Sequence, residues 1–340
     1  MVNSFMRLKR VVSLTVIVTV LFSIILVPAK SNAAEMFSND ELDELSVNVF
    51  SEKFPDAHVE QETIYINEKD ILLEKGKVIN NTSSKKVEEL VKDINDSSLL
   101  EDYKNNINQG NTLVASVKGT VYVKEKIETV DDIPEIVESK VLSYEEIPKE
   151  LLDNTVSSYL IGTDSDTYYK LTLRLNIFKG TDTSTRYILA GFASWGTGLP
   201  GKTAPAKGDD YIGFTWGGGF DYSRQGCVVE SSEPRVSLAN RVVDYIPNGG
   251  IVWGFEEYKS TLNYGPVYAK KTTIGTHLNK RSLTGGVNTT SVVLKYIHTF
   301  SSTKGSISIS PGSEKVAGSI TLQGVKDQWP LAVSVSGLRY

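Results

Sequence analysis

The sequence predicts a mainly β fold, in which a C-terminal β-sandwich or jelly-roll-like domain follows a smaller α+β region. Apolar and polar residues alternate in several runs of the second half, as they do along strands with one buried face. Glycine and proline separate these runs at turn positions. The charge also shifts, because residues 35–158 hold 28 acidic and 13 basic residues, whereas residues 159–340 hold 13 and 19. We therefore predict an acidic α+β region over 35–158 and a Gly- and aromatic-rich β-sandwich domain over 159–340.

Residues 1–34 have the pattern of a secretory signal peptide. A positive flank with three basic residues precedes an uncharged run from residue 11 to residue 29. Small-residue cleavage frames then end at Ala33 and Ala34. A retained membrane anchor is the alternative, because residues 11–27 are nearly long enough to span a bilayer. We predict cleavage, which makes the protein secreted, extracellular and without a stable membrane anchor. Bacterial export fits this profile.

Cysteine usage bears on how an exported chain is stabilised. Cys227 is the one cysteine in the sequence, so an internal disulfide is excluded. The fold must then be held by its own core or by bound metal. A multi-cysteine zinc cluster is excluded for the same reason.

Region 35–158 contains three candidate helices. The first is capped by Ser38 or Asn39, with acidic residues in its first turn, and is ended by Pro55. It carries Leu42, Leu45, Val49 and Phe50. The second starts near Ser84 and carries apolar residues at helical spacing. A capping box formed by Ser143 and Glu146 begins the third, although Pro148 must fall in its first turn.

A long amphipathic strand lies between these helices. Residues 113–127 place apolar side chains on one parity and polar side chains on the other, and Gly119 indicates a bulge. Because opposite net charges favour docking, the acidic region could cover the basic domain as a removable pro-region. Two domains that simply share a chain are the plainer interpretation, since net charge governs association rather than processing.

Region 159–340 consists of strand patterns. Tyr169–Ile177 and Val292–Phe300 alternate clearly, and many shorter runs follow the same rule. Many short strands with regular turn signals are typical of a sandwich or jelly roll, and a barrel is the alternative. The shorter candidates are Tyr187–Ala193, Tyr211–Trp216, Gly226–Glu230, Val236–Ile246, Ile251–Glu257, Val267–Ile274, Ser306–Ser310, Ser319–Gln323 and Leu331–Ser336.

Three Trp-Gly pairs suggest a binding face. Trp195, Trp216 and Trp253 each precede glycine near a strand end, so their indoles could lie along one rim. Flat aromatic faces suit stacking on the apolar C–H faces of sugar rings. Tyr222 is added to this set, because tyrosine couples a large apolar face with a hydrogen-bonding tip. The alternative is that these tryptophans fill the core, where tryptophan is buried on average.

Catalytic motifs are weak, so enzyme activity is uncertain and the balance is against it. The sequence has no G-x-S-x-G elbow. His298 has the apolar parity of its strand and is interpreted as a core histidine, whereas His277 follows Gly275 and could lie in a loop. Cys227 is interpreted as a buried thiol rather than a nucleophile. An extracellular hydrolase that uses loop carboxylates or His277 stays an alternative.

The acidic pairs do not specify a metal or an active site. Glu256 and Glu257 are adjacent on a strand and point to opposite faces, so they cannot face one substrate together. Asp209-Asp210 and Asp164-Ser165-Asp166 look like loops that could hold calcium, but solvated turn residues are the favoured interpretation. We therefore predict no metal and no cofactor.

Residues 306–323 form a candidate amphipathic hairpin. Pore-forming proteins insert such hairpins, which makes a membrane-active, toxin-like protein a further alternative. A membrane-spanning strand needs about 9–11 residues, and these arms have about five. An edge hairpin of an ordinary sheet is the better interpretation.

The sequence as a whole favours a binding module. The net charge of -5 argues against nucleic acid as a partner. The leading expectation is that the β domain binds an extracellular or cell-envelope ligand, such as a surface polysaccharide or cell wall, through Trp195, Trp216, Trp253 and Tyr222.

Overall fold

The computed structural model is mainly β, as predicted, with antiparallel sheets packed in a sandwich-like arrangement. It describes residues 46–66, 70–73, 77–80, 105–106, 108–130, 133–152, 166–180, 185–196, 208–281, 289–300, 305–313 and 316–339. No helix among these residues has the length and apolar character needed to cross a bilayer.

A six-stranded sheet forms one layer, and all its neighbouring strands are antiparallel. Its order is β1 (Ser46–Phe50), β18 (Gln328–Arg339), β15 (Thr289–Thr299), β9 (Asp209–Trp216), β12 (Gly250–Glu256) and β11 (Asn240–Ile246).

A ten-stranded sheet forms the other layer. Its path is β10 (Phe220–Ser231), β14 (Gly265–Lys280), β8 (Thr185–Trp195), β7 (Asp166–Lys179), β5 (Thr112–Val130), β2 (Val59–Ile66), β3 (Asp70–Leu73) and β4 (Lys77–Asn80). Off this path, β6 (Ile133–Val141) pairs with β5, and β13 (Tyr258–Thr261) pairs with β14. A 3-10 turn at Tyr144–Glu146 and a short α-helix at Lys149–Leu152 follow β6.

The core lies between the two sheets, because alternate residues of both point inward. On β7, Leu171, Leu173 and Leu175 are fully buried, and on β15 so is Leu294. The layers approach closely at Gly191, where an added Cβ would lie 2.8 Å from Leu294 Cδ1. A side chain at this position would therefore push the sheets apart.

Strand β1 corrects one prediction. The helix expected over Leu42–Phe50 is wrong for its described part, because Ser46–Phe50 pairs with β18 as a strand. Val47 and Val49 share one parity and pack against the core, so tertiary burial outweighs the helical pattern. The helix predicted from Ser84 lies outside the described residues.

The structural role of Gly119 differs from the predicted bulge. The long strand over 113–127 is present within β5, but its register shifts lie at Leu113/Ala115 and Lys126/Ile127, not at Gly119. The predicted bulge is therefore wrong. An added Cβ at Gly119 would lie 2.4 Å from Val49 Cγ1. Glycine is required here because β1 packs directly on the strand.

The third predicted helix is short and interrupted. The expected capping box of Ser143 and Glu146 is present, and the Ser143 N–H donates to the Glu146 carboxylate at 3.1 Å. The turn ends at Ile147, and Pro148 separates it from the helix at Lys149–Leu152.

The two predicted regions share one core. Strand β5 pairs with β7, and β1 pairs with β18, across the proposed boundary at residue 158. Residues Asp43–Tyr340 form one compact unit. The shift in charge therefore does not coincide with a break in packing. The described residues before position 158 thus contribute strands to both sheets.

The hairpin of β16 (Ser306–Ser310) and β17 (Ser319–Gln323) forms a separate two-stranded sheet. Ile309, Ile320 and Leu322 are buried against the outer face of the six-stranded sheet, where Val252 and Ile297 lie. Its apolar side is thus occupied within the fold. The hairpin packs on a sheet face rather than extending a sheet edge.

Candidate functional site

The predicted tryptophans lie in the interior. Trp195, Trp216 and Trp253 expose 4%, 0% and 2% of their surface. The Trp216 indole N–H donates to the Phe220 carbonyl oxygen at 3.0 Å, and the Trp253 ring meets Phe214 edge-on at 6.4 Å. The expected solvent-facing row of indoles is therefore wrong, because these residues occupy the interior parity of their strands.

Tyr222, the fourth predicted binding residue, does reach the surface. It is half-buried at the start of β10 and meets Tyr245 of β11, which is 54% exposed. Their ring centroids are 6.0 Å apart, and their planes form an angle of 88°. Trp216 lies behind Tyr222 at 6.4 Å. We call Tyr222 and Tyr245 the tyrosine pair.

The tyrosine pair lies where the outer strands of the two described sheets meet. The Tyr222 N–H donates to the Pro247 carbonyl oxygen at 3.1 Å, which joins β10 to the end of β11. Asp244 fixes β11 from its other side. Its carboxylate accepts from the N–H of Tyr245 at 2.9 Å and from that of Ile309 at 2.8 Å. The exposed ring is therefore mounted on a well-anchored strand.

His277 and Cys227 do not form a catalytic pair. His277 lies in β14 rather than in a loop, opposite Arg224, whereas Cys227 lies opposite Ile274. Burial and the charge of Arg224 lower the pKa of His277. Burial raises the pKa of the Cys227 thiol to about 12. The thiol is half-buried and protonated near neutral pH, as expected for a structural cysteine.

Asp209-Asp210 is placed differently from the prediction, whereas Glu256 and Glu257 point to opposite faces as predicted. Asp209 and Asp210 open strand β9 and are not in a loop. Asp209 pairs with the exposed Arg241 at 2.5 Å, whereas Asp210 is buried. Glu256 accepts from the Ala239 N–H at 2.9 Å, whereas Glu257 is buried. Each pair thus sends one carboxylate outward and one into the sandwich.

Of the segment Asp164-Ser165-Asp166, only Asp166 lies within the described residues. It opens β7 and pairs with Lys124 at 2.5 Å. This ion pair accounts for its charge without a calcium ion.

The inward carboxylates meet a histidine between the sheets. Glu125 lies on β5, Asp210 on β9 and His298 on β15, and Glu257 directly follows β12. All four side chains are buried. We call these four residues the acid–histidine cluster. His298 is thus a core histidine, but one that faces three carboxylates.

The imidazole of His298 lies between carboxylates of the two sheets. Its Nδ1 is 3.2 Å from Asp210 Oδ2 and 3.7 Å from Glu257 Oε2. Its Nε2 is 3.3 Å from Glu125 Oε1. The two nitrogens therefore have different surroundings: two carboxylates of the six-stranded sheet on one side and one carboxylate of the ten-stranded sheet on the other.

Neighbouring polar groups hold Asp210 in place. The Thr299 N–H donates to Asp210 Oδ1 at 2.8 Å, and the Tyr296 hydroxyl donates to Oδ2. The Thr299 hydroxyl donates to the Asp209 carbonyl oxygen at 2.9 Å. These contacts link β9 to β15 and fix the direction of the carboxylate.

The cluster perturbs the titration of its members. Burial lowers the pKa of His298, but the charges of Asp210 and Glu257 and hydrogen bonding to Asp210 and Glu125 outweigh it and raise the pKa to about 10. Burial and the same two charges raise the pKa of Tyr296 well above its ordinary value. The surroundings therefore favour positive charge at the imidazole and a neutral phenol.

Aromatic rings enclose the histidine. The rings of Trp329, Trp195 and Phe300 lie 5.1, 5.4 and 5.9 Å from it, measured between centroids. The Trp329 indole N–H donates to Ser139 Oγ at 2.9 Å. Trp195, which was predicted to contact a ligand, instead covers this cluster. A polymer cannot reach these groups, so the cluster can hold a proton or a small cation but cannot act on a large substrate.

Sequence reasoning did not bring this cluster together, although its signal is present. Glu125 has the parity of Val121 and Val123, and Asp210 has that of Ile212 and Phe214. A charged residue at an inward position of an amphipathic strand is unusual unless it is paired or binds metal. Four such positions on separate strands form the signal.

No protein-family model matches the chain, and comparisons with curated proteins and with solved structures give no match.

Proposed function

We propose that the protein is exported by a bacterium and binds a glycan of the cell surface or cell wall through the tyrosine pair. The observation that carries this proposal is the exposed Tyr245 ring, set edge-on against Tyr222 where two sheet edges meet. Export is supported by the signal-peptide pattern of residues 1–34.

An exposed tyrosine ring on a fixed strand suits a sugar. The C–H face of a sugar ring is apolar and packs on an aromatic face, while the phenol hydroxyl bonds to neighbouring sugar hydroxyls. Tyr222 packs edge-on against Tyr245, and Trp216 packs behind Tyr222, so little side-chain entropy is lost on binding. The pair is therefore a preorganised contact.

The polar neighbours of Tyr222 along β10 face away from its ring. Asp221 lies opposite Asn279, whereas Tyr222 lies opposite the buried Leu278, and successive strand residues point to opposite faces. Among the described residues, the stacking surface is therefore the tyrosine pair alone. We infer a short subsite for one or two sugar rings rather than a deep pocket.

An extracellular hydrolase is less well supported by the same residues. Asp210, Glu257 and His298 are closed to solvent, and a general acid must lie within hydrogen-bond reach of its substrate. His277 is half-buried on a strand and lies beside Arg224, which disfavours its charged form. Binding without turnover is therefore the proposed activity.

The test uses the chain purified from the medium of an expressing bacterium. It is applied to insoluble polysaccharides and bacterial cell walls as wild type, Tyr245→Ala and Tyr222→Ala. Tyr144→Ala is the matched control, because Tyr144 is 58% exposed and lies on the 3-10 turn after β6. Loss of one aromatic contact of about 0.5–1.5 kcal/mol lowers affinity by about 2- to 13-fold.

We expect retention of wild type and Tyr144→Ala on at least one matrix, and reduced retention of both pair variants. Equal retention of all four proteins would place binding elsewhere and overturn the proposed site. Release of soluble sugar from a retained matrix would favour the hydrolase instead.

A further inference from the structure

We propose that Asp210, Glu257 and His298 bind one divalent ion of a first-row transition metal inside the sandwich. The three side chains lie on or directly after the neighbouring strands β9, β12 and β15. One ligand atom from each lies within 4.8 Å of the others, and all three residues are buried. The site is separate from the tyrosine pair, so it does not depend on glycan binding.

The spacing of the ligand atoms fits a metal of this size. With bonds of about 2.0–2.2 Å, neighbouring ligands of a tetrahedral ion lie about 3.4 Å apart. His298 Nδ1 lies 3.2 Å from Asp210 Oδ2 and 3.7 Å from Glu257 Oε2, on either side of that value. An ion between these atoms therefore needs only small shifts of the side chains.

Glu125 occupies the position of an orienting carboxylate. A histidine that binds metal through one nitrogen usually directs its other N–H at a carboxylate or carbonyl, which fixes the tautomer. Here Nε2 faces Glu125 Oε1 at 3.3 Å, while Nδ1 faces the two candidate ligands. This contact favours the proton on Nε2, so an ion would displace the proton of Nδ1 and bind the lone pair of that nitrogen.

Asp210 is oriented in the same manner. Ligating carboxylates are commonly held by hydrogen bonds of their own. The Thr299 N–H at 2.8 Å and the Tyr296 hydroxyl both donate to it. Asp210 and His298 are thus both oriented by neighbouring groups that would not themselves bind the ion.

The charges also favour a cation. The cluster contains three buried carboxylates, whereas His298 can carry one positive charge. Several carboxylates gathered in a buried site are unfavourable unless cations or hydrogen-bond donors face them. A divalent ion compensates more of this negative charge than one proton on the imidazole does.

The ligand types select the class of metal. Imidazole with carboxylates suits zinc or manganese, whereas calcium takes about 6–8 oxygen ligands at longer distances. The enclosure by Trp195 and Trp329 leaves no path for a large substrate. The ion would therefore enter during folding and join three strands of one sheet, while Glu125 braces the site from the other sheet.

The experiment measures metal content and affinity in the full chain. Protein is unfolded with a chelator present, refolded with Zn²⁺, Mn²⁺ or Ca²⁺, dialysed and weighed by native mass spectrometry. Asp210→Asn is compared with Asp209→Asn, and Glu257→Gln with Glu256→Gln. Each control changes the neighbouring carboxylate that points outward.

We expect one Zn²⁺ or Mn²⁺ ion per chain in wild type and in both controls. Asp210→Asn and Glu257→Gln should bind at least about tenfold more weakly. Glu125→Gln should keep the ion with affinity reduced by about 10–100-fold, because it alters orientation rather than a ligand. Circular dichroism checks that every variant compared is folded.

If the inward variants fail to fold, Co²⁺ substitution of wild type decides the matter. Visible bands of a four- or five-coordinate cobalt ion would support the site, and a six-coordinate aqueous spectrum would overturn it. Wild type that retains no ion also overturns the proposal. Equal binding by Asp210→Asn and wild type would mean an adventitious ion only, with the same consequence.

Discussion

The two ends of strand β9 lie in parts of the sandwich interior that differ in polarity. At its start, Asp210 joins the acid–histidine cluster, which we call the polar end. At its finish, Trp216 packs near Phe220, which meets the Tyr187 ring edge-on at 5.7 Å, and we call this the apolar end. Both positions are inward and both are buried. The same strand parity therefore serves two different sources of stability.

The two ends show that burial of apolar rings and compensation of buried charge stabilise the fold in different ways. The apolar end is stabilised by removing large rings from water, which requires only close packing. The polar end is favourable only while its carboxylates face groups of opposite charge or hydrogen-bond donors. Substitutions at the two ends should therefore differ in size and in their dependence on solution conditions.

The largest effect is expected at the apolar end. Trp216→Ala should lower the free energy of unfolding by about 3–5 kcal/mol, because it opens a cavity and removes the hydrogen bond to Phe220. Denaturant unfolding followed by circular dichroism measures this loss. Tyr144→Ala, at an exposed site, should stay within about 0.5 kcal/mol of wild type. A similar loss of unfolding free energy in Trp216→Ala and Tyr144→Ala would contradict the burial of Trp216.

A smaller effect is expected at the polar end of metal-free protein. Asp210→Asn should cost about 1–3 kcal/mol, since the amide cannot accept from both Thr299 N–H and Tyr296 while facing His298. Asp209→Asn should cost about 0.5 kcal/mol or less, because its ion pair with Arg241 is exposed. Equilibrium unfolding in the presence of EDTA measures both. A gain in stability for Asp210→Asn would show that excess negative charge dominates this end.

The smallest effect concerns Cys227, which packs against the core from strand β10. With its pKa raised to about 12, the folded thiol should react with iodoacetamide at pH 8 about a thousandfold more slowly than the unfolded chain. The folded state holds the thiol proton more tightly. This contribution to stability is therefore complete below about pH 8.5 and is lost as the pH rises toward 12.

Mass spectrometry of alkylated protein over a pH series checks the Cys227 prediction. Trp216→Ala should speed the reaction more than Asp210→Asn does, since Cys227 reports on opening of the outer strand β10. Rapid labelling of folded wild type would contradict the raised pKa.

Strand parity in the sequence predicted most of the fold. Alternation located β5, β7 and β15, because a buried face imposes a period of two. It failed at β1, where Leu42, Leu45 and Val49 have helical spacing but Val47 and Val49 share one strand parity, and only pairing with β18 decides between the two. Strand pairing between distant segments is not encoded locally, so the shared core of the two regions could not be predicted.

The candidate sites were predicted less well, for two physical reasons. A Trp-Gly pair does not show which sheet face the indole occupies, and all three are inward. Each member of the acid–histidine cluster is an unusual inward polar residue, but none of them identifies the other three from the sequence. The cluster forms only because β15, β9 and β12 are neighbours in one sheet and β5 faces them across the interior. Tyr222 was predicted, but its partner Tyr245 depends on how two sheet edges meet.

The pairing of β1 with β18 has a consequence for folding. Ser51 donates its hydroxyl to the Pro330 carbonyl oxygen across 279 residues of sequence. Contacts of such separation slow folding, because a long loop must close before they form. The six-stranded sheet cannot be completed until residues 328–339 have been synthesised. The nascent chain therefore lacks the completed six-stranded sheet until its synthesis is nearly finished, and a chain without that sheet is easier to thread through a narrow pore than the folded protein.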